Sequence, residues 1–190
     1  AYFDLIVGEP SRNKPQGPDE YGYICFDDSD TDWDIAPEYE WIEISTEERQ
    51  PDYDGTSCDF DGNSPQNIGE TTVINLPFEF QFYGTVYDQL TISTNGFVSV
   101  GDQEYVTNFQ NWPLDRAVGG LGMIAPFWDW LSLSGGQVYY HYIDNEEEIS
   151  YFVIEWYELR QRNGGGGDLT FEIIIFDMPT ETGDNTIQFQ

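Results

Sequence analysis

The sequence predicts an all-β fold, an antiparallel β-sandwich of about a dozen short strands joined by long acidic loops. Three observations lead to this prediction. Aromatic residues make up 17% of the 190 residues, and Tyr and Phe favour strands. Nineteen Gly and ten Pro supply turns. Apolar residues recur in short runs with a two-residue period, and no amphipathic segment of helical length separates the runs.

The first third of the chain contains three predicted strands among polar segments. Residues 1–7 are mostly apolar and are followed by a Pro-rich stretch that is unsuited to a helix or a central strand. Residues 21–26 and 39–44 are the next two predicted strands. Residues 46–70 are polar and are expected to form a long surface loop that is held by Cys58.

The strand pattern strengthens from residue 71 onwards. The clearest run is 78–82, in which three Phe alternate with Glu79 and Gln81, and Pro77 is expected to end the strand before it. Asn95-Gly96 between apolar runs predicts a tight hairpin. The remaining predicted strands cover residues 71–76, 86–93, 97–100, 123–128, 138–143, 151–159, 169–175 and 186–190.

Two parts follow from this organisation. Residues 1–16 form an N-terminal strand with a Pro-rich linker, and residues 17–190 form the β-sandwich domain. The first part is a candidate donor strand, because a strand separated from its domain by prolines can pair with a sheet edge elsewhere.

The charge balance excludes several classes of partner. With 36 acidic and 6 basic side chains the formal net charge is −30, so a nucleic-acid interface is excluded and an anionic membrane surface is disfavoured. No apolar run is long enough for membrane insertion. The chain has neither an initiator Met nor a signal-peptide pattern, and we expect a mature product at the cell surface or outside the cell.

Two cysteines and an acidic loop are the candidate structural sites. Cys25 and Cys58 are predicted to form one disulfide, the alternative being two free buried thiols. Carboxylates at alternate positions are candidate calcium ligands, namely Asp28, Asp30, Asp32 and Asp34. The EF-hand register fails because Trp33 replaces the required glycine, and the alternative is a solvated turn in which Asp side chains cap backbone amides.

No catalytic constellation is predicted. His141 is the only histidine and lies in a strand between aromatic residues, so a nucleophile–histidine or zinc site is not expected. Carboxylate pairs arise by chance among so many acids. Tryptophans could form a sugar-stacking face, although strand aromatics mostly occupy the core; the candidates are Trp112, Trp128, Trp130 and Trp156.

Several segments, taken in order, resemble one known family. They are Tyr21-Gly22-Tyr23, residues 36–42, Leu76-Pro77-Phe78 through Gly84, residues 93–97, Asn111-Trp112-Pro113, residues 123–129, Val153-Ile154-Glu155-Trp156 and residues 171–174. Together they are similar to the nidogen-like (jelly-roll) β-sandwich modules of large secreted bacterial proteins, including gingipain-type and other secreted peptidases. The resemblance implies an extracellular, non-catalytic module with an adhesion, matrix or accessory role.

The ends of the chain depart from that family pattern. Family members continue past the final Ile-x-Phe-Gln strand, whereas this sequence stops at Gln190 and begins with an additional strand. We therefore predict a non-catalytic structural subunit of a surface filament, assembled head-to-tail from copies of itself by β-strand complementation. The predicted subunit-binding residues are Tyr2, Phe3, Leu5, Ile6 and Val7. The alternative is an accessory module of a larger secreted protein that binds glycans or matrix.

Overall fold

The computed structural model describes residues 14–48, 50–63, 68–103, 109–110, 121–145, 147–164, 166–179 and 183–190. The chain divides into two compact units, Ala1–Glu40 and Trp41–Gln190. In the described ranges there is no helix, and the ten strands all belong to the second unit. This organisation confirms the predicted all-β class.

The strands of the second unit form two antiparallel sheets. In chain order they are β1 (Thr56–Ser57), β2 (Thr71–Phe82), β3 (Thr85–Ser93), β4 (Phe97–Val100), β5 (Met123–Ile124), β6 (Leu131–Ser132), β7 (Gln137–Ile143), β8 (Tyr151–Gln161), β9 (Leu169–Pro179) and β10 (Asn185–Phe189). One sheet has the order β1-β7-β8-β9-β10, with β6 paired to β8, and the other has the order β2-β3-β4-β5. The predicted antiparallel sandwich is thus confirmed, with ten strands in the described residues rather than about a dozen.

The main core lies between the two sheets. Alternate residues of β8 and β9 point inwards, and Trp156 stacks on Phe171 with ring centroids 5.0 Å apart. From the opposite sheet, Phe80, Leu90 and Ile92 are fully buried against them. Aromatic and branched side chains in these alternating positions supply most of the apolar area that stabilises the fold.

The predicted Asn95-Gly96 hairpin is confirmed and connects β3 to β4. Asn95 is fully buried; its side-chain amide donates to the Ile68 carbonyl at 2.8 Å and its side-chain oxygen accepts the Leu131 amide at 3.3 Å. The Trp156 indole donates to the Ser93 carbonyl at 2.8 Å. The family-like residues at this end of the sandwich therefore have a structural role.

The outer face of the six-stranded sheet is also buried. Residues 41–45, which we call the strap, place Ile42 and Ile44 over it, and together they close a second apolar cluster. The other buried members of the cluster are Tyr139, Ile143, Val153, Tyr157 and Ile174. Because both of its faces are covered, β8 is buried almost continuously from residue 152 to residue 157.

Two predicted strands are wrong for a shared physical reason. Residues 21–26 form no strand because the Asp19 Oδ1 oxygen accepts three successive amides, from Tyr21, Gly22 and Tyr23, and closes a turn. Residues 39–44 form no strand because strap amides donate to carboxyl groups instead of a neighbouring backbone. In both segments side chains accept amides that a strand partner would accept, and residues 21–26 keep a single backbone bridge, between Cys25 and Gln16.

Two further details of the loop and strand boundaries are corrected. Pro77 does not end β2, because it lies in the irregular stretch between Asn75 and Phe80, where the pairing with β3 is interrupted and no amide is needed. The predicted loop 46–70 contains β1, whose Thr56 and Ser57 pair with β7.

Candidate functional site

The most unusual chemical feature of the second unit is a pair of buried glutamates. Glu155 on β8 and Glu172 on β9 are opposite one another in the strand register, and both have an exposed fraction of 0%. Like charges opposite one another on neighbouring strands are destabilising, and an isolated buried carboxylate is costly. The pair therefore needs a compensating environment.

The strap provides part of that environment. The Ile44 amide donates to Glu155 Oε2 at 3.1 Å, and the Ile42 amide donates to Glu172 Oε1 at 3.3 Å. The Gln190 side-chain amide donates to the same Glu172 oxygen at 3.1 Å. Each glutamate thus holds one backbone amide of the strap, two residues apart, while the strap covers the sheet.

Burial changes the titration of both carboxyl groups. The pKa of Glu155 is raised to about 8. Desolvation is the main cause, the negative charge of the neighbouring Glu43 adds to it, and the hydrogen bond from the Ile44 amide acts in the opposite direction. Desolvation likewise raises the pKa of Glu172 to about 8, opposed by the Ile42 amide. At neutral pH both groups are therefore largely protonated.

One oxygen of each glutamate is left over. Glu155 Oε1 and Glu172 Oε2 are buried and have no hydrogen-bond partner among the described atoms. A protonated carboxyl can keep its proton on such an oxygen, whereas a carboxylate would leave a charge there without compensation. The arrangement can hold a segment by hydrogen bonds in a protonation-dependent way.

Sequence reasoning did not find this pair. The available signal was a single Glu in the middle of each of two apolar runs, Val153-Ile154-Glu155-Trp156 and Phe171-Glu172-Ile173. An acid within a strand that is apolar on both sides indicates a face that something else covers. The covering segment itself carries no comparable signal.

The acidic loop of the first unit is folded by its own hydrogen bonds. Asp30 is 2% exposed, and its Oδ2 oxygen accepts the Asp27 amide at 3.0 Å. The Ser29 amide and hydroxyl donate to Asp27 Oδ1, which lowers the pKa of Asp27. Asp28, Asp32 and Asp34 are exposed.

Taken together, the candidate calcium ligands are not gathered into a site. Across the described residues, no three or more His, Cys, Asp or Glu side chains are grouped so that they could hold a metal ion. The turn with Asp caps is what the structure shows for this loop, and calcium binding there stays a prediction.

The predicted disulfide between Cys25 and Cys58 is not formed, and both thiols are free. Cys25 is exposed in the first unit, whereas the Cys58 side chain packs against the main core of the second. Burial raises the pKa of the Cys58 thiol, with a smaller contribution from Asp59. Cys58 behaves as a small apolar core residue, and its side chain is therefore directed into the core of the second unit.

The other predicted residues fall into three groups. Tyr2, Phe3, Leu5, Ile6 and Val7 lie outside the described residues, as does Trp112. Trp128 and Trp156 are buried in the sandwich, and Trp130 stacks on Phe109, so these rings do not form a sugar-stacking face. His141 lies opposite Val153 in the register, and its ring stacks on Tyr53 with centroids 5.6 Å apart.

One edge of the six-stranded sheet carries strand-pairing groups. Gln190 and Glu172 exchange both backbone hydrogen bonds, at 2.8 and 3.1 Å, so by antiparallel alternation Ile187 and Phe189 direct their amide and carbonyl groups away from β9. Among the described strands, β10 has no partner on that side. The Phe189 side chain is 53% exposed although the neighbouring inward residue, Ile187, packs against the core.

Comparison with known proteins gives one match. A family model described as NIDO related matches residues 54–190, which cover most of the second unit. No curated protein and no solved structure matches the chain. A search of the described residues finds no helix of the length and apolarity that a membrane crossing requires.

Proposed function

The chain belongs to the NIDO-related family, and from this premise we propose that it is a non-catalytic structural protein whose copies join head-to-tail by β-strand complementation. Membership of the family supports an extracellular module. The proposal adds how one module contacts the next. The observation that carries it is the edge of β10 at Ile187 and Phe189, which has no strand partner among the described strands.

The acceptor in this proposal is the edge formed by Ile187 and Phe189. Their backbone groups point away from β9, and a row of such groups is a template for another strand. The half-exposed Phe189 ring adds an apolar contact for an incoming side chain. Backbone hydrogen bonds would supply affinity, and alternate side chains would supply specificity.

The donor in this proposal is the N-terminal apolar segment of a second copy. Alternation places Phe3, Leu5 and Val7 on one side of an extended strand, with Tyr2 and Ile6 on the other. A contact between two different surfaces of identical subunits propagates in one direction and gives open chains rather than closed dimers.

The first experiment removes the donor. Electron microscopy and size-exclusion chromatography should show polymers of the full chain and only monomers after deletion of residues 1–9. A chain in which Asp4 alone is replaced by Asn is the control, since it keeps the apolar alternation. Polymers that persist unchanged after the deletion would refute the proposal.

The second experiment alters the acceptor without touching the pairing of β10 with β9. Phe189→Pro removes an amide that points to the open edge, whereas Phe189→Ala keeps that amide and removes only the ring. Assembly should be lost in Phe189→Pro and only weakened in Phe189→Ala. Equal assembly in the two variants would show that the β10 edge is not the acceptor.

A second candidate function has one observation in its favour. In the first unit, Trp33 is 51% and Tyr39 is 74% exposed, and exposed aromatic rings are suited to stacking on sugars. The candidate is an accessory module that binds glycans or matrix. A polysaccharide array probed with monomeric protein and with a Trp33→Ala, Tyr39→Ala variant tests it, and equal binding by both would reject it.

A further inference from the structure

We propose that Glu155 and Glu172 form a proton-dependent latch, which holds the strap on the outer face of the six-stranded sheet and releases it when the two carboxyl groups ionise. This conformational change lies within the second unit and does not depend on the assembly proposed above.

The geometry requires both glutamates to act on one segment. They are directly opposite each other on β8 and β9, and they accept the amides of Ile44 and Ile42 respectively. The described strap residues belong to no sheet. The two glutamate side chains accept the amides that the backbone of a neighbouring strand would accept in a sheet. Among the described residues, the strap carbonyls of Glu43 and Ile44 accept backbone amides only from the loop that follows, including those of Asp52 and Gly55. Its attachment to β8 and β9 therefore consists of the two carboxyl groups and the apolar contacts of Ile42 and Ile44.

Ionisation would place two negative charges on neighbouring strands in a closed space. Glu43 and Asp52 face the pair from the strap and the loop after it, and both act to disfavour additional charge. On the sheet, Tyr139 is opposite Glu155, and Tyr157, two residues along β8, donates its hydroxyl to Glu48. His141, two residues along β7 from Tyr139 and opposite Val153, is the one basic side chain among the described groups on this face, and its ring stacks on Tyr53. The described groups that face the two glutamates directly are acids and phenols, which do not compensate a carboxylate.

Opening the strap is the simplest relief of that repulsion. Water could then reach the two carboxylates, at the cost of exposing the apolar outer face that includes Val153 and Ile174. The closed strap keeps the pKa of both carboxyl groups at about 8, whereas carboxyl groups exposed by opening have the ordinary pKa of 4.5, so closure weakens as the pH rises from about 5 to 8. The strap should therefore be closed at pH 6 and largely open at pH 9. In the closed state at pH 9, each carboxyl group would be protonated in only about one molecule in ten.

Hydrogen exchange of the strap amides measures the latch directly. We expect the protection of residues 42–44, corrected for the intrinsic rate at each pH, to fall about tenfold or more between pH 6 and pH 9. The core strand Phe97–Val100 serves as an internal reference, because it is fully buried and away from the strap. A strap that keeps its protection relative to this strand up to pH 9 would overturn the proposal.

Substitution separates the latch from a general effect of alkaline pH. In Glu155→Gln with Glu172→Gln, each amide side chain keeps an acceptor for its strap amide and cannot ionise, so protection should stay constant from pH 6 to pH 9. A matched control replaces two exposed glutamates, Glu79→Gln with Glu147→Gln, and should behave as the original chain. Equal pH dependence in the latch variant and the control would also overturn the proposal.

The single variants cover the case in which the double variant does not fold. Glu155→Gln should remove the pH dependence of the Ile44 amide more than that of Ile42, and Glu172→Gln should do the reverse. A loss of pH dependence that does not follow this pairing would count against the latch. The exchange profile of the original chain decides the question even without any variant.

Discussion

At the scale of single residues, Gly96 shows how tightly the β3–β4 turn is constrained. Its φ is +76°, and a Cβ placed there would overlap the Phe127 carbonyl oxygen. Gly62 has nearly the same φ, +72°, but the only described atom near its Cβ position is Leu133 Cδ1 at 3.7 Å, an ordinary van der Waals contact. The two glycines therefore separate the cost of a left-handed backbone from the cost of steric overlap.

We predict that Gly96→Ala destabilises the protein by about 3 kcal/mol or more, because backbone strain and overlap with rigid backbone add. Gly62→Ala should cost only about 1 kcal/mol, the backbone strain alone. Urea unfolding followed by tryptophan fluorescence gives both values. Similar costs for the two variants would contradict the role assigned to the overlap.

The buried glutamates predict how stability depends on pH. Both groups have a folded-state pKa of about 8, above the ordinary value of 4.5, so the folded state binds more protons. Their contribution is complete below pH 4.5 and is lost as the pH rises towards 8, by up to about 1.4 kcal/mol per pH unit for each carboxyl. Urea unfolding at pH 5 to 9 checks this, and replacing both glutamates by Gln should flatten the profile.

At the scale of elements, the strands that sequence reasoning located are those with a backbone partner. Residues 78–82 have a clear two-residue period, whereas the run that became β8 is apolar on both faces. The predicted strands 151–159 and 169–175 begin where β8 and β9 begin and end two and four residues early. The strap also shows a weak two-residue alternation, but carboxyl side chains, and not a neighbouring strand, accept its amides. That arrangement depends on Glu155 and Glu172, more than 100 residues away, and no local pattern could indicate it.

The same reasoning explains what was predictable of the candidate sites. Exposed acids of the loop at 28–34 are visible in the sequence, and the calcium prediction follows from their spacing alone. The buried carboxyl pair depends on strand register and on coverage of the outer face, which arise only in the assembled sheet. Sequence therefore indicated the polar surface and missed the polar interior.

For the acidic loop we predict that calcium raises the melting temperature, because a cation would relieve repulsion among the exposed carboxylates of this loop. Differential scanning fluorimetry with calcium and with excess chelator measures this. Replacement of Asp28, Asp32 and Asp34 by Asn should abolish the difference. An identical melting temperature in calcium and in chelator would contradict calcium binding by this loop.

At the scale of the whole molecule, the net charge of −30 opposes contact between copies. Subunits that carry so many acids repel one another, and dissolved salt screens that repulsion over distances of about 10 Å at 0.1 M. Strand complementation rests on backbone hydrogen bonds and apolar side chains, which salt weakens little. The balance between these two terms sets the extent of assembly.

We therefore predict that the average polymer length rises between 0.05 and 0.5 M NaCl (roughly the range over which screening becomes complete), because repulsion falls while the strand contact is retained. Light scattering and electron microscopy measure the length. A polymer that shortens in the same range would indicate an interface held by charge pairs. The deletion of residues 1–9 should show no response to salt.

The state of the two cysteines gives the molecule a ready point of attachment. A maleimide reagent should modify Cys25 quickly and leave Cys58 unmodified while the sandwich is folded, because only the first thiol is open to solvent. A fluorophore or gold particle can thus be fixed at one position of the native sequence. In any ordered array of copies, the regular spacing of such labels would report the repeat distance along the fibre.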